Sequence, residues 1–286
     1  MISIVILTGG KGTRVKKITK DSSKAEIYLD KKNTIIDIQI KNLLKIKKNI
    51  LIISNQKFQN LKKIINNKYK KAKISFIEEK EQFGTAGALA KLQKSKNKKN
   101  NSDYLVIFGD LLFNINFKKI INFHRKKNSE CTLVVHPNSH PKDSDCVKLD
   151  DNGKVINFYK KPHKKSLLPN LSLSGIFIIK NKLLKLINKN KYQDFSKHIL
   201  TKILKNNYRV YGYQTREYIK DVGTIDRVLQ ARKDLGSIKY KKGNINSKIP
   251  AVFLDRDGVI NYDKNNGKYQ NPKIFIPGSL KSIKKI

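Results

Sequence analysis

Short apolar runs recur along this 286-residue chain between longer segments of helical periodicity, and that alternation restricts the fold more than any other feature. The opening run, Ile2-Ser3-Ile4-Val5-Ile6-Leu7, and those at 49–54, 74–77, 104–108, 131–135 and 174–179 read as buried strands. Between them, 34–48 places Ile35, Ile36, Ile40, Leu43 and Leu44 on one helical stripe, and 58–67 and 117–127 do likewise. Strands alternating with helices predict an α/β sheet, mostly parallel, with ligands at the carboxyl ends of its strands. After Val135 the turn formers Pro137, His140, Pro141, Asp143 and Asp145 predict a stretch that leaves the sheet and folds over its edge. Helical periodicity returns at 196–206 and 224–235. The predicted organisation is a first domain over 1–236, a polar linker over 237–250, and a new start at 251–286, where Ala251-Val252-Phe253-Leu254 reads as a fresh buried strand.

Charge sets the partner class. The net charge of +40 raises nucleic acid as a ligand. Lysine is instead spread along the whole chain together with Asn and Ile, without the aromatic interleaving of a base-stacking surface, so a nucleic-acid face is not expected. Anionic small substrates are favoured. Cys131 and Cys146 have neither disulfide-framework density nor metal-type spacing and read as reduced thiols. No apolar stretch approaches the roughly eighteen residues of a membrane span, and the opening run lacks the basic leader of a signal peptide, so a cytoplasmic, membrane-free protein is expected. Self-association is left open.

The first strand runs straight into Thr8-Gly9-Gly10-Lys11-Gly12-Thr13-Arg14. Glycines at 9, 10 and 12 let backbone N–H groups approach an anion, and Lys11 and Arg14 add positive charge, with Lys24 ten residues further on. A glycine-rich turn alone serves equally as a tight strand-to-helix connection. Phe108-Gly109-Asp110 puts Asp110 at the carboxyl end of a strand, the usual address of a metal-binding carboxylate in an open sheet, and Asp221 precedes Val222-Gly223-Thr224. An Asp before Gly is also a common turn or helix cap. His136 and His140 have the spacing of a helical ligand pair, but Pro137 and Pro141 break the helix it needs, so zinc is set aside.

Leu7 through Arg14, with Thr19 and Lys24 downstream, resembles the sugar-phosphate nucleotidyltransferases. Ser23 stands where that family usually has proline, so the loop loses a fixed φ and keeps the cation. Glu81-Gln82-Phe83-Gly84-Thr85-Ala86-Gly87-Ala88-Leu89 resembles the family's second nucleotide segment, and on its own reads equally as a tightly packed helix start. The stretches 136–145, Lys161-Pro162-His163 and 170–179 resemble guanylyltransferases acting on D-glycero-D-manno-heptose 1-phosphate. The resemblance implies a Rossmann-like fold with a mostly parallel mixed sheet. It implies a nucleoside triphosphate, GTP, and a sugar phosphate as substrates, with Mg²⁺ as cofactor. Leu7, Gly9, Gly10, Lys11, Gly12, Thr13, Gly84 and Thr85 would then contact the nucleotide, with Arg14 and Lys24 catalytic. Asp110 and Asp221 would hold the metal, and Lys161 and Gly175 the sugar phosphate.

A second motif, Phe253-Leu254-Asp255-Arg256-Asp257-Gly258-Val259-Ile260-Asn261, resembles the first motif of the haloacid dehalogenase-like phosphatases. At a strand end Asp255 can attack phosphorus, and Asp257, two residues on and on the same side, can act as general acid. Both can approach one Mg²⁺. Its continuation through Tyr269, Asn271-Pro272 and Pro277-Gly278 resembles D-glycero-D-manno-heptose 1,7-bisphosphate phosphatases. A plain Asp-Gly turn after a strand is the other reading. Only 31 residues follow Asp255, too few to enclose a catalytic core, so a truncated α/β segment without phosphatase activity is expected. Two alternatives remain for the chain. The intact parent protein is principally a phosphatase with a degenerate first domain, or the chain binds nucleotide-sugars without transferring them. Retention of both Asp110 and Asp221 argues against a pure binder.

Overall fold

In a computed structural model, the chain is described at residues 2–10, 13–19, 23–55, 59–94, 103–138, 141–163, 168–248, 252–262 and 275–284. By contact density it forms two compact units, Met1–Ser247 and Lys248–Ile286.

The first unit opens with β1 (Ile2–Leu7), a 3-10 turn at Thr13–Val15, α1 (Lys16–Thr19), and a second 3-10 turn at Lys24–Glu26. Then come α2 (Ile35–Leu44), β2 (Asn49–Asn55), α3 (Gln59–Lys68), β3 (Lys73–Glu79) and α4 (Gly84–Ala90). β4 (Asp103–Phe108), β5 (Leu111–Asn114), α5 (Phe117–Lys126) and β6 (Cys131–Pro137) follow. The chain continues through β7 (Cys146–Leu149), β8 (Val155–Tyr159), β9 (Leu171–Ile179), α6 (Thr201–Lys205), β10 (Val210–Gln214), β11 (Tyr218–Asp221), α7 (Ile225–Gly236) and α8 (Ile238–Lys241).

The main sheet runs β10-β6-β9-β4-β1-β2-β3. β4, β1, β2 and β3 are parallel, as are β10 and β6, while β9 lies antiparallel between β4 and β6. The predicted α/β sheet is present, mixed rather than uniform. Alternation along β1 divides the core. Ile2, Ile4 and Ile6 pack with Ile36, Ile40 and Leu43 of α2, and Val5 and Leu7 pack on the opposite face with Leu89, Phe177 and Ile199. Each such side chain contributes about 1.5–3 kcal/mol when fully buried. The predicted helix at 34–48 forms as α2, started by a capping box in which Thr34 and Asp37 satisfy each other's backbone N–H groups.

Several elements depart from the sequence reading. The hairpin β7–β8 was not expected, and β7 joins the sheet through Cys146 opposite Ser172. β5, β10 and β11 are only four or five residues long, too short to show a period. The expected helix at 196–206 is a π-helical turn, Phe195–Leu200, running into α6. The expected linker is structured in its first part. Tyr240 of α8 packs edge-on against Tyr218 at 5.3 Å, and the Tyr218 N–H donates to the Gly243 carbonyl at 2.9 Å. Both cysteines are free and buried, and no helix among the described residues is long and apolar enough to cross a membrane.

In the second unit the expected strand 251–254 does not form over its described residues: 252–254 take part in no strand or bridge, and Phe253 is 95 % exposed. A strand needs a neighbour for its backbone groups and a core for its side chains, and the described residues of this unit supply neither. What order there is comes from bridges pairing Asn261 with Asp257 and Phe275, and from α9 (Ser279–Ile283).

Candidate active site

The order of strands around β1 positions the site. β2 and β3 follow β1 to one side and β4 lies on the other, so the chain reverses direction at the β1–β4 junction and opens a crevice beyond their carboxyl ends. Leu7 closes β1, and Thr8 fixes the exit by donating its N–H and its hydroxyl to the Ile53 carbonyl at 2.9 and 3.1 Å. The loop Gly9-Gly10 follows, while Lys11, Gly12 and His140 lie outside the described residues, and Thr13 begins the first 3-10 turn.

Ser23 does more here than mark a missing proline. Its buried hydroxyl donates to the Thr8 carbonyl at 3.2 Å and accepts the Ala25 N–H at 3.3 Å, capping the 3-10 turn that carries Lys24. The serine therefore ties the lysine turn to the root of the glycine-rich loop by hydrogen bonds, where a proline would have acted through a fixed φ. Lys24 in turn reaches Asp110, Nζ to Oδ2 3.1 Å, with both groups mostly shielded from water.

Asp110 and Asp221 are far apart in sequence and adjacent in space. Asp110 lies in the turn between β4 and β5, and the antiparallel pair β5–β11 places Asp221 opposite Leu111. The Val222 N–H donates to the Asp110 carbonyl at 2.9 Å. Gly223 locates the centre of the group. A Cβ at this position would stand 3.1 Å from Asp221 Oδ1, 3.6 Å from Arg14 Nη2 and 4.0 Å from Lys24 Nζ. Two cations and two carboxylates thus converge on one short stretch of backbone.

Other side chains hold this group and were not anticipated. Gln39 donates to the carbonyls of Phe108 and Leu111 at 3.0 and 2.7 Å, pinning the turn that bears Asp110. Its signal was a polar residue within the apolar stripe of 34–48. Arg227, in the first turn of α7, holds both oxygens of Asp221 at 2.6 and 2.7 Å. His136 lies near enough to feel the Asp221 charge, although burial, the larger influence, lowers its pKa. A third apolar cluster, including Val15, Ile27, Leu112, Val222 and Val228, lies under both 3-10 turns and β11.

The remaining expected residues divide. Gly175, at φ +82°, packs beside Phe108 and Leu111, which flank the Asp110 turn. Gly84, at φ +79°, opens α4 against the Gln193 carbonyl. Thr85, expected to face a nucleotide, turns its hydroxyl inward, donating to Asp194 at 3.0 Å and accepting the Phe195 N–H at 2.8 Å. Lys161 belongs to a separate network, with its N–H on Asp145 Oδ1 at 3.0 Å and its Nζ on the Asp143 carbonyl at 3.2 Å. In the second unit Asp255 and Asp257 are both exposed, and Arg256 grips Asp257 at 2.9 and 2.8 Å, holding its carboxyl below the usual range. Tyr269, Asn271 and Pro272 lie outside the described residues. Among the described residues no group of three or more His, Cys, Asp or Glu side chains could hold a metal by itself.

One more carboxylate faces the glycine-rich loop. Glu79 ends β3 at 4 % exposure, and a Cβ on Gly9 would stand 2.6 Å from its Oε2. Burial pushes its pKa up to about 7, against the opposing pull of Lys91.

Known proteins share this arrangement of chain. The pattern of the family described as Nucleotidyl transferase matches residues 3–237. The chain is 28 % identical over 304 aligned residues to the glucose-1-phosphate adenylyltransferase of Clostridium novyi, covering 96 % of this chain and 76 % of that one. Its fold is similar to that of HddC from Yersinia pseudotuberculosis, at TM-score 0.68 and 21 % identity over 82 % of this chain and all of that one. It is also similar to a UDP-glucose pyrophosphorylase solved with UDP-glucose, at TM-score 0.69 and 16 % identity over 82 % of this chain and 98 % of that one. The architecture is therefore the Rossmann-like α/β fold of the sugar nucleotidyltransferases, with a mostly parallel mixed sheet.

Proposed function

The chain belongs to the Nucleotidyl transferase family, and from that premise we propose that its first unit transfers a nucleotidyl group from GTP to D-glycero-D-manno-heptose 1-phosphate, releasing pyrophosphate. The observation that carries this reading is the convergence of Arg14, Lys24, Asp110 and Asp221 about Gly223, beyond the carboxyl ends of β1 and β4. The choice of heptose rests on the likeness of 136–145 and Lys161-Pro162-His163 to heptose-specific relatives.

The reaction needs no covalent intermediate. A phosphate oxygen of the sugar 1-phosphate forms a bond to the α-phosphorus, the bond from that phosphorus to the oxygen bridging to the β-phosphorus breaks, and pyrophosphate departs. Two polyanions must be brought together, so positioning and charge neutralisation carry the catalysis. Lys11 and Arg14 would hold the triphosphate. Lys24, positioned by the Ser23 cap and by Asp110, would face the α-phosphate and the entering phosphate. Lys161 would anchor the acceptor, with Gly175 allowing its close approach beside the Asp110 turn. Asp110 and Asp221 are hard oxygen donors on neighbouring segments, a set suited to Mg²⁺ completed by substrate phosphates. Mg²⁺ so held supplies neutralisation of charge on the phosphates.

For the second unit we propose the opening of a phosphatase unit of the haloacid dehalogenase type, with Asp255 as nucleophile, Asp257 as general acid and both near Mg²⁺. Exposure of both carboxylates and the Arg256 grip on Asp257 favour negligible phosphatase activity in this chain. Hydrolysis of heptose 1,7-bisphosphate at an ordinary enzymatic rate would overturn that part. The transferase is tested by pyrophosphate release from each of the four nucleoside triphosphates, with heptose 1-phosphate or glucose 1-phosphate as acceptor. GTP with the heptose is expected to be fastest. Silence in every combination would sink the reading.

A further inference from the structure

We propose that Ser196 is a positioning residue that couples the two substrate subsites: it links the start of α4 to the segment carrying Lys161, so that nucleotide and sugar phosphate bind cooperatively. This coupling rests on the transferase reading above, in which the start of α4 meets the nucleotide and Lys161 the sugar phosphate.

The two ends of the link are held differently. On the nucleotide side, the start of α4 and residues 193–195 form one block. The Ala86 N–H donates to the Gln193 carbonyl at 2.9 Å, the Gln193 N–H donates to the Phe83 carbonyl at 2.8 Å, and the Thr85 hydroxyl bonds both Asp194 and the Phe195 N–H. Buried Phe195 stacks on Phe177 of β9 with 3.8 Å between ring centroids, which anchors the block to the sheet. On the acceptor side, a 3-10 turn at Pro141–Asp143 buries no residue, and Lys161 is exposed. A segment with so little core takes its position from polar contacts. Asp145 gathers them. Its Oδ1 accepts the Lys161 N–H at 3.0 Å, and its carbonyl accepts the N–H of Leu173, two residues before Gly175, at 3.0 Å.

Ser196 spans the two ends. It is the second residue of the π-helical turn Phe195–Leu200, and its Oγ lies 2.6 Å from Asp145 Oδ2 and 2.9 Å from Asp194 Oδ1. Both are donation distances, yet a serine hydroxyl has one hydrogen and an ionised carboxylate only accepts, so the hydrogen serves one acid at a time. Asp194 has other donors, the Thr85 hydroxyl on Oδ2 and the Lys197 N–H on Oδ1 at 3.1 Å. The shorter contact is the one to Asp145, as expected of a hydroxyl donating to a charged oxygen. A strap therefore runs from Thr85 to Asp194, two residues along the chain to Ser196, and across to Asp145 and Lys161. A nucleotide settled on the start of α4 steadies the Asp194 turn and, through Ser196, the Lys161 segment, so the sugar phosphate meets a lysine already in place. Linkage makes the effect mutual, and the sugar phosphate tightens nucleotide binding by the same factor.

For the test, pyrophosphate release first selects the fastest pair among the four nucleoside triphosphates with heptose 1-phosphate or glucose 1-phosphate. The whole chain is then titrated calorimetrically in Mg²⁺ with that sugar phosphate, with and without the α,β-methylene analogue of that triphosphate, whose carbon bridge blocks transfer. In the wild type the analogue is expected to tighten sugar-phosphate binding about tenfold. Ser196→Ala, its fold checked by thermal melting, is expected to shrink that factor to about twofold or less while binding the analogue alone within about threefold of wild type. Ser196→Thr keeps the hydroxyl and is expected to retain a factor of at least about five. A wild type without coupling, or a Ser196→Ala protein with the wild-type factor, overturns the inference while leaving transfer intact. Absence of pyrophosphate release from every pair overturns the transferase reading itself.

Discussion

Glu79→Gln should change how stability depends on pH in the ligand-free protein, and the size of the change follows from the burial of the acid. The folded chain raises the carboxyl from its ordinary 4.5 to about 7, chiefly by burial. In full that corresponds to about 3 kcal/mol, and discounting for solvent screening leaves about 2 kcal/mol. Between these values the folded state keeps a proton that the unfolded chain has released. The wild-type protein therefore holds this stability at acid pH and loses it as pH rises toward 7 and above. Glutamine carries no such proton. The stability of Glu79→Gln relative to wild type should rise by about 2 kcal/mol between pH 5 and pH 8, about 4–8 °C in Tm for a unit of this size. Thermal melts of both proteins at the two pH values give the result, and every other titrating group cancels in the comparison. A Tm gap that is the same at pH 5 and pH 8 would show that Glu79 is ionised throughout and that its burial has been misread.

Two further outcomes test the supports of the site. Ser23→Ala removes a hydroxyl that satisfies the Thr8 carbonyl and the Ala25 N–H. It should cost about 1–2 kcal/mol in urea denaturation and lower the rate of pyrophosphate release more than it raises the KM of the sugar phosphate, because it loosens the turn under Lys24. An unchanged rate would mean that the cap does not position the lysine. Gly223→Ala introduces a methyl 3.1 Å from Asp221 Oδ1 and 3.6 Å from Arg14 Nη2. It should reduce turnover about tenfold or more, a change of about 1.4 kcal/mol in the barrier, with little change in Tm, and full activity would place the reacting groups elsewhere.

The strands at 104–108 and 174–179 and the helix at 34–48 were legible because each has a run long enough to reveal burial on one face or two. The same was true of the carboxyl-end position of Asp110, which follows from a strand ending in Gly-Asp. The link between Asp110 and Asp221 was not legible from physics. It depends on β5 and β11, four residues each, whose pairing is set by tertiary contact rather than by any periodicity. The orientation of the Thr85 hydroxyl was not legible, since helix-start chemistry does not reveal which way it turns, and Asp194 accepts its hydrogen bond. Ser23 looked like a loss because a proline acts through φ, a local property, whereas the serine acts through a hydrogen bond to Thr8, fifteen residues away. Val252, Phe253 and Leu254 misled for the opposite reason: their composition is that of a strand, and a strand needs a neighbour that the described residues of the second unit do not contain.

Asp110 and Asp221 are proposed to act together with Lys24 and Arg14 on the phosphates. The most direct measurement is single-turnover pyrophosphate release by wild type and by Asp110→Asn across a Mg²⁺ titration, at saturating GTP and sugar 1-phosphate. A Mg²⁺-dependent rate is expected in the wild type, with a loss of at least about a hundredfold, close to 3 kcal/mol in the barrier, in an Asp110→Asn protein that melts like the wild type. An Asp110→Asn protein that matches the wild-type rate and the wild-type Mg²⁺ dependence would contradict it.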